Sequence, residues 1–314
     1  MEHVNPRVAY GETLVELGRE NKNIVVLDAD LGGSTMGKLF ELAYPERHFE
    51  AGIAEANMTS MAAGLATTGK IPFVNSFAVF SAGRAFDQIR QTICIGGLNV
   101  KIVGSSAGLS DFGDGATHQS VEDIAIMRAI PNMTVICPAD ANETTAATKA
   151  IVEYNGPVYL RINRHDTENI TPSPTTKPFT IGEPTLMREG SEIAVFATGI
   201  TVALALKAAA QLEGQVSVRV INVSTIKPLD SNKITKLSEG CKAIVCAEEH
   251  SIIGGLGSAI AETMRANPKP MAFVGIEDTF GVSAHNYEEL LEHFGITAEK
   301  IAEAILKVGI SLAR

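Results

Sequence analysis

The chain has no tryptophan, 5% aromatic residues and four cysteines in 314 residues. Cys94, Cys137, Cys241 and Cys246 all sit in or beside apolar stretches. So few thiols, without an export signal, read as buried and reduced rather than as disulfide staples. The spacing of Cys241 and Cys246, with no histidine to complete a set, excludes a zinc knuckle. No run of lysines or arginines occurs, and the net charge is −10 at pH 7 with a pI near 5.3. Nucleic acid is therefore not an expected partner. Long hydrophobic runs are missing too. The most apolar stretch, Ile193 to Ala210, is broken by Thr198, Gly199, Thr201 and Lys207, whereas a membrane span needs about 20 mostly apolar residues. The start, Met1-Glu-His-Val-Asn-Pro, is neither basic nor apolar. The expectation is a cytoplasmic protein without a membrane segment.

What is present is a core-forming chain, 45% hydrophobic and 20% charged, long enough for two domains. Short branched runs read as buried strands: Ile24–Leu27, Ile71–Val74, Val100–Val103, Met133–Cys137 and Val158–Leu160. Helical stretches separate them; Tyr10, Leu14 and Leu17 make one stripe. At Thr171-Pro-Ser-Pro-Thr-Thr-Lys-Pro the periodicity stops, as in a linker. Strands resume at Ile193–Ala197, Val216–Ile221, Ala243–Cys246 and Ala272–Val274. Helices are expected at Thr201–Gln211, Leu256–Ala266 and Ala298–Val308. The expected fold class is α/β, two domains each built on a mostly parallel sheet covered by helices. Their ranges are 1–170 and 187–314, with 171–186 as linker.

In such folds ligands gather at the carboxyl ends of strands. Glu55, in the first turn of a helix, suits the positive helix end; it also suits a carboxylic acid kept neutral in an apolar pocket. Phe77 and Phe80 follow a strand, either as core or as a platform for a flat heterocycle. Asp114 and His118 share a glycine-dense loop, placed either to bond a polyhydroxy substrate or to cap the helix near Ser120-Val-Glu-Asp. Gly113-Asp-Gly with the distant Asn142 imitates a magnesium and diphosphate motif, but Asn142 follows a Pro138-Ala-Asp helix start. That reading fails, and no metal ligand is expected on this chain. Glu248, Glu249 and His250 are expected in a structural loop, since neighbours on a strand point to opposite faces. Gly254-Gly-Leu-Gly lacks the spaced dinucleotide fingerprint.

Four segments carry a family resemblance: Glu50-Ala-Gly-Ile-Ala-Glu-Ala-Asn-Met, Arg84-Ala-Phe-Asp-Gln-Ile-Arg, Gly113-Asp-Gly-Ala-Thr-His-Gln-Ser-Val-Glu-Asp and Thr225-Ile-Lys-Pro-Leu-Asp. In this order they resemble the C-terminal half of transketolase, a pyrimidine-binding domain plus a C-terminal domain, over practically the whole chain. The resemblance implies a split enzyme that transfers a two-carbon ketol unit between sugar phosphates with thiamine diphosphate, in the pentose phosphate pathway. It implies an N-terminal partner carrying the diphosphate and magnesium ligands, self-association as a dimer, and an α2β2 assembly. By position Glu55 becomes the cofactor-activating acid, Phe77 and Phe80 the packing against the pyrimidine, and Asp30 an acid near the cofactor. Asp114 and His118 become ligands of the donor hydroxyls, with His118 at the catalytic centre. Arg7, Ser34 and Arg164 become the sugar-phosphate site, paired arginines suiting a dianion. Ser106 departs from the family's usual histidine in that loop. Related readings of the same architecture are the β subunit of a 2-oxo acid dehydrogenase, which has no need of the paired arginines, deoxyxylulose-phosphate synthase, normally a single chain, and a non-catalytic scaffold homodimer.

Overall fold

Branched apolar runs bounded by turn residues become parallel strands here, because helices cover both of their faces. A computed structural model describes residues 3–310; residues 1–2 and 311–314, the outer ends of the two expected domain ranges, lie outside the described residues. The strands are β1 (His3–Val4), β2 (Ile24–Asp28), β3 (His48–Glu50), β4 (Ile71–Phe77), β5 (Lys101–Ser105), β6 (Thr134–Ile136) and β7 (Val158–Arg161). They continue with β8 (Thr167–Glu168), β9 (Thr185–Arg188), β10 (Ile193–Ala197), β11 (Val218–Asn222), β12 (Thr225–Lys227), β13 (Ala243–Ser251) and β14 (Met271–Ile276). Every apolar run expected as a strand forms one. The helices Thr201–Gln211, Leu256–Thr263 and Ala298–Ile310 stand where helices were expected, the second ending in a 3-10 turn, Met264–Ala266.

Two large sheets result, one of seven strands in the order β12-β6-β7-β5-β4-β2-β3 and one of five in the order β14-β13-β10-β11-β9. All pairs are parallel except β12 with β6 and β9 with β11. The protein is thus two α/β domains of mostly parallel sheet. On the first sheet the helix Pro6–Glu20 opens with Asn5 as its cap, whose side chain accepts from the Arg7 amide, and with Pro6 in its first turn. Such a start satisfies one orphan amide and needs no donor from the proline. Tyr10 and Leu14 of the expected stripe are fully buried, and the Tyr10 hydroxyl donates to Asn75 Oδ1 at 2.6 Å. Removing a side chain such as Leu14 from water contributes about 1.5–3 kcal/mol.

The seam between the sheets is polar, with Glu143 at its centre. Glu143, buried, accepts from Ser224 Oγ at 2.6 Å, from Asn222 Nδ2 at 3.0 and 3.1 Å, and from the Ala139 amide at 2.7 Å. Burial raises its pKa while these donors oppose the rise. Beyond the linker, β12 crosses back and adds an antiparallel edge to the first domain's sheet beside β6. A three-residue strand begins with no apolar run to announce it.

Candidate functional site

The carboxyl ends of β2, β4, β5 and β7 face one side of the first sheet. At the end of β2, Asp28 is buried; its Oδ1 accepts from Thr35 Oγ1 at 2.9 Å and its Oδ2 meets His48 Nε2 at 3.0 Å. This pins the loop that carries Asp30 and Ser34. Asp30 itself is exposed, with φ +59° and its amide donating to Glu50 Oε1 at 2.8 Å. The Ser34 carbonyl accepts from Arg7 Nη1 at 2.7 Å. Burial, then the charge of Arg164, lower the pKa of Arg7. Arg164 Nη1 donates to Asp111 Oδ2 at 2.9 Å. Burial raises the Asp111 carboxyl, and the guanidinium of Arg164 opposes that rise. The two guanidinium groups thus repel each other, with the carboxylates of Asp111 and Asp166 against them. An anion is the natural third party.

Next to this cationic end lies an aromatic floor. The Arg164 guanidinium lies 5.9 Å from the Phe77 ring centroid. Phe77 and Phe80 are nearly parallel, 12° apart with centroids at 6.1 Å, and the His118 ring stands edge-on to both at 6.2 and 5.3 Å. His118 and Asp114 do not cap the following helix, which starts at Asp123 with no side-chain cap. His118 Nδ1 is 2.9 Å from Thr117 Oγ1, and Asp114 is exposed at the start of a 3-10 turn.

Glu55 opens the helix Glu55–Thr67 and is 1% exposed. The pocket is not purely apolar: Arg84 Nη1 donates to Oε1 at 2.9 Å and to Oε2 at 2.8 Å. Arg84 reaches there because Phe80–Arg84 is a π-helical turn, a widened turn that recurs at functional sites. Its guanidinium lies 4.7 Å from the Phe80 centroid. A flat group bearing N–H donors therefore rests on Phe80 and bonds Glu55, which is the recognition chemistry an aminopyrimidine ring needs. The residues fit that ring. Arg84 and Asp111 were not singled out from the sequence as site residues; their partners lie 29 and 53 positions away.

Ser106 is buried with φ +51°, and its Oγ has no hydrogen-bond partner among the described residues. It lies beneath the loop rather than on its surface. Asn142 bonds the Thr171 carbonyl through Nδ2 at 3.0 Å inside a helix capped by Asp140, so it closes no metal loop. Among the described residues no three His, Cys, Asp or Glu converge as a metal set, and no helix is long and apolar enough to cross a membrane. Glu248, Glu249 and His250 are not in a loop: β13 runs through Ser251, and all three are buried. They hold strand geometry because their polar atoms find partners. Glu248 accepts from the Leu256 and Gly257 amides at 2.6 and 2.8 Å, filling the N-terminus of the next helix. A Cβ on Gly255 would lie 2.0 Å from Glu248 Oε2, so the glycines admit an internal carboxylate and not a nucleotide phosphate.

Family models place these observations. Residues 2–169 match the transketolase pyrimidine-binding domain, and residues 182–301 match the transketolase C-terminal domain. The chain belongs to the transketolase family, in its split C-terminal form. A putative transketolase C-terminal section of Methanocaldococcus jannaschii is 47% identical over 304 residues, 96% of this chain and 95% of that one. A 6-deoxy-6-sulfo-D-fructose transketolase subunit of Clostridium is 43% identical over 96% of this chain and 94% of its own. A solved split gene transketolase, an inactive β4 tetramer, superimposes with TM-score 0.90 at 45% identity, covering 98% of this chain and 99% of that one.

Proposed function

We propose that this chain is the C-terminal subunit of a split transketolase, moving a two-carbon ketol unit between anionic sugars, with an N-terminal subunit completing the site. The observation that carries the reading is the continuity of Glu55, Phe80, Phe77 and Arg164. An acid that grips a flat ring and a cationic end that grips an anion are joined by two phenylalanines. Thiamine diphosphate, when bound, supplies the electron sink for carbon–carbon cleavage. Its diphosphate and magnesium contacts belong to the N-terminal subunit, in an α2β2 assembly of the two chains.

The chain's own residues then have defined work. With the ring bound, Arg84 would give up its bonds to Glu55, and Glu55 would hold a proton at a carboxyl oxygen facing the ring. Phe77 and Phe80 exclude water from that ring's face and fix its plane. His118, edge-on to both rings, and Asp114 bond the donor hydroxyls and orient the bond to be cleaved. Arg7 and Arg164, with the Ser34 turn between them, hold the terminal anion; Asp30 stands at the rim of the same loop.

The relatives support an anionic ketose without fixing which one. The Clostridium relative is named for a sulfonated fructose, and another relative, at 35% identity, for apulose 4-phosphate. The test is ketol transfer from xylulose 5-phosphate, and from a sulfonated and a branched ketose, with thiamine diphosphate and magnesium. This chain is assayed alone and with its N-terminal partner. Transfer only in the mixture is expected. Silence with every donor, while the two subunits demonstrably bind, overturns the reading.

A further inference from the structure

Glu249 belongs to the later domain, on β13, yet its carboxylate serves the earlier one. Oε1 accepts from the Leu109 amide at 2.7 Å, and Oε2 accepts from Asn163 Nδ2 at 3.1 Å. Tyr287, also from the later domain and buried, hydrogen-bonds the same carboxylate, and its hydroxyl accepts from Asn163 Nδ2 at 2.8 Å. The main-chain carbonyl of Glu249 accepts from Arg161 Nη2 at 2.9 Å, and that nitrogen also lies 3.4 Å from the Ser120 carbonyl.

These contacts reach the two stems of one loop. Gly108 and Ser120 exchange amide-to-carbonyl bonds at 3.0 Å in both directions, closing the loop that carries Asp111, Asp114 and His118. The fit at the stem is tight: Gly108 has φ +65°, and a Cβ there would lie 2.4 Å from the Glu249 carboxyl. On the other side, Asn163 Oδ1 accepts from the His165 amide at 2.7 Å, bracketing Arg164, while the Arg164 amide donates to Ser110 Oγ at 3.2 Å. One buried carboxylate therefore ties the Asp114–His118 loop and the Arg164 turn to a common point outside their own domain.

We infer that Glu249 is a positioning residue for the donor, by which the C-terminal domain sets the spacing between Arg164 and the Asp114–His118 loop. It touches none of the reacting groups, so it governs affinity for the anionic ketose more than the rate of bond cleavage. This rests on the transketolase reading above. A glutamine at this place keeps the volume and one acceptor, but turns an amide nitrogen toward a donor.

The test uses the complex with the N-terminal subunit and compares wild type, Glu249→Gln and Tyr287→Phe. For Glu249→Gln the expected result is a KM for the phosphorylated ketose raised about tenfold, with kcat within about twofold of wild type. Amide exchange at Leu109 should quicken. Tyr287→Phe, which loses only the hydroxyl, should move KM the same way by about threefold and keeps the question open to refutation if the glutamine variant folds poorly. An unchanged KM in both variants, or a fall in kcat alone, overturns the inference while leaving the transketolase reading intact. A wild-type complex that transfers from no ketose removes the reading itself, and the inference with it.

Discussion

Both domains place charged residues near the carboxyl end of a parallel strand, Glu248 within β13 and Arg164 just after β7, and the two strand ends do opposite things. In the later domain, Glu248 turns back onto the amides of Leu256 and Gly257 and fills its own helix end. In the earlier domain, the charges of Arg7 and Arg164 oppose each other, answered by Asp111 and Asp166, and Phe80 is half-buried. The sealed end satisfies its carboxylate internally, with main-chain amides. The open one leaves Phe80 and Arg164 partly exposed. The same strand-end position can thus serve either end, and the local hydrogen bonds, not the fold, distinguish them.

The contrast can be broken at several points. The largest effect is expected at Glu55: alanine there should lower kcat by about 100–10,000-fold while the melting temperature stays near that of wild type. Substantial residual turnover would remove Glu55 from its role. Arg164→Ala should raise KM for the anionic ketose about tenfold to hundredfold, the worth of a charge-assisted contact, with a smaller change in kcat; an unchanged KM in steady-state assays would put the anion elsewhere.

The sealed strand end should respond in stability instead. Burial pushes Glu248 up from 4.5 to about 7. A carboxyl whose folded pKa is raised binds its proton more tightly in the folded state. Its contribution is therefore complete below pH 4.5 and lost as pH rises to about 7. Between pH 5 and pH 8 the wild type should lose about 2–3 kcal/mol more than Glu248→Gln does, measured by denaturant unfolding. Parallel pH profiles would show that the helix amides already hold the ionised form at pH 5. The smallest effect is at Ser106. Glycine there relieves a left-handed backbone and removes a buried hydroxyl that has no partner among the described residues. A gain of about 0.5–1 kcal/mol is expected, and a loss would reveal an interaction of that hydroxyl in the folded enzyme.

Legibility in the sequence followed the range of the interaction. The run Ile193–Ala197 is a strand over those same five residues, since continuous branched apolar side chains with turns at both ends admit little else. The polar edges His48–Glu50 and Thr225–Lys227 carried no such signal, because an edge strand of three residues is defined by its neighbour. Nor could the π-helical turns at Phe80–Arg84 and Ile89–Cys94 be read, since helical periodicity does not report one extra residue per turn. In the site, Arg7, Ser34 and Arg164 came from family resemblance, and the fold brings them together. Arg84, quoted only within a family motif, and Glu249, read only as a structural acid, have partners far along the chain. Glu249 seemed an ordinary loop acid beside Glu248, and only the packed domains show that the two carboxylates face different domains.

The strand Thr225–Lys227 has a last consequence. It lies far beyond the linker, yet it finishes the first domain's sheet by covering the free edge of β6. Cutting the chain after residue 170 would not liberate a complete domain; it would bare a row of unpaired amides and carbonyls, ready to recruit another chain. The two domains should therefore melt as one cooperative unit rather than in two separate steps.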